Sequence, residues 1–516
     1  MVISAKFFED YPDFFRKSGD KLSTKEYTLQ QRVIQPQSAM TIIDNETGYV
    51  KAMVGGRKVS GRMILNRAVS LRQPGSSIKP LAVYSAALQR SFELEADGKK
   101  FPLVDSKMGK QGDQLWGDYV TAGSVIDDEP TKVNGKVWPV NSGGGYNGLV
   151  TFRRALQLSL NVCAVKILEQ VGTDFSYDLL EDYGITSLVK DGDVNDNNLA
   201  ALALGGLSNG VSTLEMASAY TTFVNDGVHK SYNLYTKVTT RSDDILLEAQ
   251  TTETKVLDPG VAWISRDLLQ SVVTNGLGWP AAVSGAKAGG KTGTTSEQFD
   301  IWFDGFTAKY SAALWIGCDV NIKLSSMSQM AATLWGKIMN QIPDVASGTY
   351  SGKPSNVISV SIDTKSGMLA TEASGKDATT EYFTSGTQPS EPDTLHQIAE
   401  VCEDSGYLAT PSCPNVKTQT GIVRPYVPNK KVNKSELPHY YCNLHNPDPN
   451  IYPVKKGLEV TIVDPNDPDD PENPDDPDDP DITDPDNPDN PEDPNNPNPD
   501  NPDLPPVVPS EEGKEE

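Results

Sequence analysis

A chain of 516 residues is long enough for two or three domains around a large core. Its formal charge of −25 is concentrated in residues 464–516, where 21 acidic residues and one lysine give a net −20. The rest of the chain is only mildly acidic and offers no basic surface for nucleic acid.

Residues 1–36 read as the remnant of a linker. Their start, Met1-Val-Ile-Ser-Ala-Lys-Phe-Phe-Glu-Asp10, is too short and too charged for a secretory signal or a spanning helix. Residues 39–56 hold two β-rich runs flanking Asn45-Glu-Thr-Gly48, which predicts a hairpin whose glycine takes positive φ. Next comes Arg72-Gln-Pro-Gly-Ser-Ser-Ile-Lys-Pro80. Pro80 lacks an N–H and is tolerated only near a first turn, so a helix through residues 81–89 must begin close to Ser76. That start sets Ser76 Oγ beside free amides and the positive helix end. Lys79, one turn on, is then a candidate base if burial or a neighbouring cation lowers its pKa. Ser76 is the candidate nucleophile.

S-x-x-K also occurs at Ser18, Ser187 and Ser284, so the motif alone has little weight. Two more motifs, later in the chain, give it weight. Gly143-Gly-Gly-Tyr-Asn-Gly148 is a flexible approach to Ser159-Leu-Asn161, which lies in an apolar run expected to be helical. Helical patterns continue to Phe223, and residues 264–273 form a further amphipathic helix. Lys291-Thr-Gly293 precedes alternating strands at residues 300–306 and 310–317, and residues 333–340 predict a closing helix. Decoys exist at Ser231-Tyr-Asn233, Lys17-Ser-Gly19 and Lys365-Ser-Gly367. One choice gives all three motifs in order, 83 and then 132 residues apart. Strands at both ends with helices between imply one antiparallel sheet built from distant segments and packed on helices. Trp302, Phe303, Phe306 and Trp315 are read as core rather than cleft residues. None of the four histidines adjoins a motif, which leaves a Ser-His-Asp triad little support.

These motifs, with Leu65-Asn-Arg-Ala68, the run from Ala203 to Tyr220 and Gly290-Lys-Thr-Gly-Thr-Thr295, resemble the transpeptidase half of a class A penicillin-binding protein over residues 38–342. One departure is Leu160, where the family's middle motif has Asp. The resemblance implies an α+β fold, a three-layer α/β/α sandwich of the β-lactamase/transpeptidase type with an antiparallel sheet flanked by helices. It also implies roles. Ser76 would attack the penultimate D-alanine carbonyl of a peptidoglycan stem peptide, and Lys79 would accept its proton. Ser159 would relay a proton to the departing D-alanine, and Asn161 would hold Lys79 or the substrate amide. Lys291 would supply positive field for a C-terminal carboxylate that Thr292 and Thr294 also bind. Gly293 would let the strand approach the substrate, and the Ser76 and Thr294 amides would form the oxyanion hole. No cofactor is implied. β-Lactam antibiotics would acylate the same serine. Membrane association would run through an N-terminal segment absent from residues 1–36, with the site outside the cytoplasm and no glycosyltransferase domain ahead of it. The alternatives are a D,D-carboxypeptidase, a serine β-lactamase, and a non-catalytic wall-binding or β-lactam-sensing module.

The expected domains are a linker at 1–36, the penicillin-binding domain at 37–345, a small β-rich module at 346–463 and a disordered tail at 464–516. The module's turns at residues 360–369 and 403–410 repeat the polar turn closed by glycine. Three of the five cysteines, Cys402, Cys413 and Cys442, lie in it, near His439 and His445. One disulfide with a free thiol, three reduced thiols, or a metal held by Cys402, Cys413, Cys442 and His445 all fit this count. The tail has 16 prolines in 53 residues, cannot bury a core, and reads as an extended surface spacer.

Overall fold

The computed structural model describes residues 35–423 and 436–461, apart from 58–60, 62–63, 102–116, 134 and 326–327, and the backbone of short strands Phe15–Lys17 and Tyr27–Leu29. The tail and most of the first 36 residues lie outside these. The chain divides into two units: Met1–Val401 with Lys417–His439, and Cys402–Val416 with Tyr440–Glu516.

The larger unit is built on a five-stranded sheet. Its strands are β1 (Gln37–Asp44), β2 (Val50–Val54), β3 (Gly289–Thr294), β4 (Asp300–Phe306) and β5 (Tyr310–Gly317). All neighbours are antiparallel in the order β3-β4-β5-β1-β2, so β3 is an edge although the chain reaches it late. The β1–β2 turn is the expected one: Gly48 has φ 74°, and Asp44 Oδ1 accepts from the Thr47 amide at 3.1 Å.

Side chains alternate across the sheet because the strand period is two. Ile301, Phe303, Leu314 and Ile316 enter one apolar core, and Trp302, Phe306, Ala313 and Trp315 the other. A sheet buried on both faces needs a helical layer on each, which makes the fold a three-layer α/β/α sandwich. One layer includes α8 (Gln329–Met339), whose Trp335 packs edge-on against Phe303 at 5.1 Å. The other collects α1 (Ser85–Ala96), α2 (Phe152–Leu158), α3 (Asn161–Val171), α4 (Thr173–Asp182), α5 (Leu199–Leu204), α6 (Thr213–Thr221) and α7 (Pro259–Asn275). The four aromatic residues at strand spacing are core, each at most 2% exposed.

The larger unit continues past residue 345. The hairpin of β6 (Val357–Asp363) and β7 (Ala378–Thr384) is tied to the helical layer by Arg153, which pairs with Glu381 at 2.5 Å and Asp267 at 2.7 Å. Val357, Leu395 and Ile422 join the core on that side. The stretch 346–463 is therefore shared between the two units.

The turn at residues 72–78 positions the candidate nucleophile, and three backbones hold it. Arg72 exchanges both backbone bonds with Val211, at 2.9 and 2.8 Å, and its guanidinium meets Asp300 at 2.7 Å. Trp302 Nε1 donates to Gln73 O at 2.9 Å. Glycines allow the approach: a Cβ on Gly205 would lie 2.1 Å from Gly75 O, and one on Gly293 would lie 2.3 Å from Pro74 O. Gly205 also has φ 75°, a left-handed conformation that costs an L side chain about 1–2 kcal/mol before any clash. Gly205→Ala is expected to lower stability by more than that strain alone, read as a lower midpoint in thermal or urea unfolding. An unchanged midpoint would mean that the turn does not sit on this glycine.

Candidate active site

The backbone around Ser76 departs from a plain helix start. Residues Gly75–Ile78 make a 3₁₀ turn, Pro80–Tyr84 a wider π turn, and α1 follows from Ser85. Pro80 explains the change, because it has no N–H to give to residue 76. The Lys79 amide instead bonds Ser76 O, and the Ser85 amide reaches back to Pro80 O. Ser76 is half-buried and lines a cleft of about 450 Å³ with Ser159, Asn161, Thr292 and Thr294.

Ser159-Leu-Asn161, expected within one helix, is a break between two. Ser159 takes φ 60°, ψ 34° and ends α2; Leu160 is extended; Asn161 starts α3. The break turns the Ser159 carbonyl toward Lys79, while Leu160 O, which accepts from the Ala164 amide at 3.3 Å, is shared with it. Lys79 Nζ donates to Ser159 O at 2.9 Å and Leu160 O at 3.4 Å, and to Asn161 Oδ1 at 2.7 Å. Ser159 Oγ accepts from Lys291 Nζ at 2.7 Å, and Lys291 also donates to Thr292 O at 3.0 Å. One serine thus joins two lysines, through its carbonyl to one and its hydroxyl to the other.

Both lysines are fully buried. Burial pushes the Lys79 ammonium down to about 7, from an ordinary lysine value of 10.5. The Lys291 pKa is also lowered, first by burial and then by the charge of Lys79, with Asp304 pulling the other way. Asp304 lies opposite Lys291 in the β3–β4 register and is itself fully buried. Burial pushes its carboxyl up to about 8, against the opposing pull of Ser77 and Lys291. Two neighbouring buried amines with one carboxyl close by do not favour both being charged.

The structure brings Ser76, Ser159, Asn161, Thr292 and Thr294 to one cleft, with Lys79 and Lys291 bonded to it through Ser159. Gly293 has a different neighbour from the one expected. The space beside its Cα is filled by Pro74 O and by Ser77, the side chain atoms of which would lie 3.0 Å from a Cβ. Its missing side chain seats the Ser76 turn on β3. In the smaller unit, Cys402, Cys413, Cys442 and His445 also come together.

Sequence reading missed the support beneath Asn161. Asn141 Oδ1 accepts from the Asn161 and Val162 amides at 2.8 and 3.3 Å, capping α3, and its Nδ2 donates to Asp128 Oδ1 at 2.7 Å. Asp128 Oδ2 accepts from the Asn147 amide and side chain at 2.9 and 2.7 Å, and Asn161 Nδ2 donates to Val140 O at 2.8 Å. Residues 141 and 128 belong to no spaced motif; an asparagine just ahead of a glycine run is the only cue. Asn141→Ala strands the α3 amides and removes a partner from buried Asp128. A loss of roughly 1–3 kcal/mol is expected in urea unfolding, and a change within error would show that the cap carries no weight.

The family model of the penicillin-binding protein transpeptidase domain matches residues 118–309, and that of the penicillin-binding protein 1A C-terminal domain matches 353–398. Ser159 and Lys291 fall within the first match, and Ser76 precedes it. Penicillin-binding protein 1A of Clostridium botulinum strain Hall is 36% identical over 409 residues, 77% of this chain and 46% of the relative. Penicillin-binding protein 1F of Bacillus subtilis is 31% identical over 330 residues, 62% of this chain and 41% of the relative. The chain therefore spans less than half the length of either relative. The crystal structure of penicillin-binding protein 1A from Haemophilus influenzae shares the fold, with a TM-score of 0.54 at 24% identity over 71% of this chain and 56% of that one. The match over residues 118–309 and the identity to penicillin-binding proteins 1A and 1F agree: this chain belongs to the penicillin-binding protein transpeptidase family.

Proposed function

We propose that this chain is a D,D-transpeptidase that cross-links peptidoglycan stem peptides through an acyl-enzyme on Ser76 and is acylated there by β-lactams. The observation that carries the reading is the Lys79–Ser159–Lys291 chain of contacts beside Ser76 in one cleft. An unprotonated Lys79 takes the proton from Ser76 Oγ as that oxygen attacks the penultimate D-alanine carbonyl carbon. The Ser76 and Thr294 amides receive the oxyanion. Collapse breaks the C–N bond, and the proton held by Lys79 is relayed through Ser159 to the departing amine, with Lys291 favouring the transfer. D-Alanine leaves, an acceptor amine attacks the ester, and Ser76 recovers its proton. A β-lactam undergoes the first half, its ring amide opening while the acyl group stays on Ser76.

Edge strand β3 suits an extended peptide, since an edge leaves backbone groups free to pair with an added strand. Thr292, Thr294 and the Lys291 field then meet its terminal carboxylate. The substrate lies outside the cytoplasm, and we place the site there, with membrane anchorage supplied by a segment other than the described residues. Among those no helix is long and apolar enough to cross a membrane.

Fluorescent penicillin labelling, followed in time by intact mass, tests the reading. A label that persists for many minutes on wild type and is absent from Ser76→Ala is expected. Rapid loss of label with drug hydrolysis would instead make the protein a β-lactamase. Stem-peptide turnover to the shortened acid without cross-linked product would make it a carboxypeptidase, and acylation without any peptide turnover a sensing module.

The Lys79 pKa adds a pH prediction. The base is competent when unprotonated, so the acylation rate is expected to fall as pH drops through about 7, approaching tenfold per unit on the acid side. Lys79→Arg, which keeps its proton, loses acylation across the range. Second-order rate constants that stay flat from acid to alkaline pH would remove Lys79 as the base.

A further inference from the structure

We propose that Cys402, Cys413, Cys442 and His445 bind one zinc ion that holds the smaller unit together. One donor atom from each lies within 4.8 Å of every other. Cys402 Sγ is 3.5 Å and Cys442 Sγ 3.6 Å from His445 Nδ1. A tetrahedral zinc about 2.3 Å from sulfur and about 2.0–2.1 Å from nitrogen sets those atoms about 3.5–3.6 Å apart. The two measured edges are those of the coordination polyhedron, with both sulfurs converging on the same ring nitrogen.

The backbone around the sulfurs suits thiolate ligands. The Thr410 amide donates to Cys413 Sγ at 3.2 Å, and the His445 amide donates to Cys442 Sγ at 3.3 Å. Cys442-Asn-Leu-His445 is thereby a tight ligand turn. Around Cys402 the chain folds back through Gly406, with φ 69°, so that the Cys402 amide meets Tyr407 O at 2.8 Å. Thr410 Oγ1 donates to His445 O, fixing one ligand loop on another. His445 Nε2 faces Asp404 Oδ2 at 3.8 Å, the carboxylate-to-imidazole arrangement that orients a metal-bound histidine through its other nitrogen.

The composition of the unit supplies an independent argument. Its described residues, 402–416 and 440–461, are fewer than the ~40 at which a small domain needs a disulfide, a metal or a partner. Residues 464–516 are Asp, Asn and Pro-rich and have little apolar surface to add. Among the described residues, the unit's members of the apolar core set are Cys402 and Cys442, both 0% exposed. The ligands themselves occupy the place of a hydrophobic core. Three thiolates and one imidazole are the donor set of a structural zinc site, closed to solvent chemistry.

The full chain, purified without chelator, is expected to hold one zinc per molecule by elemental analysis, and Cys413→Ser to lose it. Because that variant can unfold locally, cobalt replacement in the wild-type protein gives a second reading. Intense sulfur-to-cobalt charge-transfer bands with tetrahedral visible bands support the site. Asp404→Asn is expected to weaken zinc binding by about 10–100-fold while leaving the thiols in place. Protein that stays metal-free after dialysis against zinc, or a non-reduced peptide map showing a disulfide among the three cysteines, would overturn the proposal.

Discussion

Ser159 joins two buried lysines, and much of the larger unit is arranged to make that possible. An isolated buried ammonium costs several kcal/mol even after relaxation. Lys79 and Lys291 are both fully buried and close enough that the charge of the first lowers the pKa of the second. The unit meets this cost with oxygen acceptors: the Ser159 and Leu160 carbonyls at the α2–α3 break, the Asn161 amide oxygen and the Ser159 hydroxyl. Each is in place because the chain leaves the helix at Ser159. Strain in that one left-handed residue is offset by the hydrogen bonds it releases.

Backbone packing follows the same logic. Three segments far apart in sequence meet at the turn holding Ser76: β3, the run after α5, and the turn itself. Glycines at 205, 210 and 293 face another backbone where a methyl group would clash. The cleft therefore rests on backbone packed directly on backbone, braced by Trp302 and by the Arg72–Asp300 pair. Rigid placement of this kind is required of an acyl-transfer site, since a nucleophile and its oxyanion donors act through fixed geometry. Asp304, opposite Lys291 in the β3–β4 register, pulls the Lys291 pKa back up while burial raises its own carboxyl to about 8.

The two units solve the problem of stability differently. The larger buries two aromatic-rich layers against a sheet; the smaller buries thiols. The helical layer also recruits the β6–β7 hairpin through Arg153, a cation held by two carboxylates from distant segments. Sequence could not announce that recruitment, because Glu381 lies 228 residues from Arg153.

The sequence by itself determined the elements whose cause is local. The hairpin at Asn45-Glu-Thr-Gly48 follows from turn chemistry, β4 and β5 from alternation, and the start near Ser76 from Pro80. The three motifs identified the residues of the cleft because their order and spacing are improbable together. Tertiary structure alone decided everything that depends on long-range contact. It set the strand order with β3 at the edge, the break at Ser159, Asn141 as a cap, the true neighbours of Gly293, and the meeting of four ligands at Cys402. Periodicity over a short window records which side chains face a core. It carries no record of which carbonyl a lysine 80 residues away will need, and that need is met only where the chain bends at Ser159.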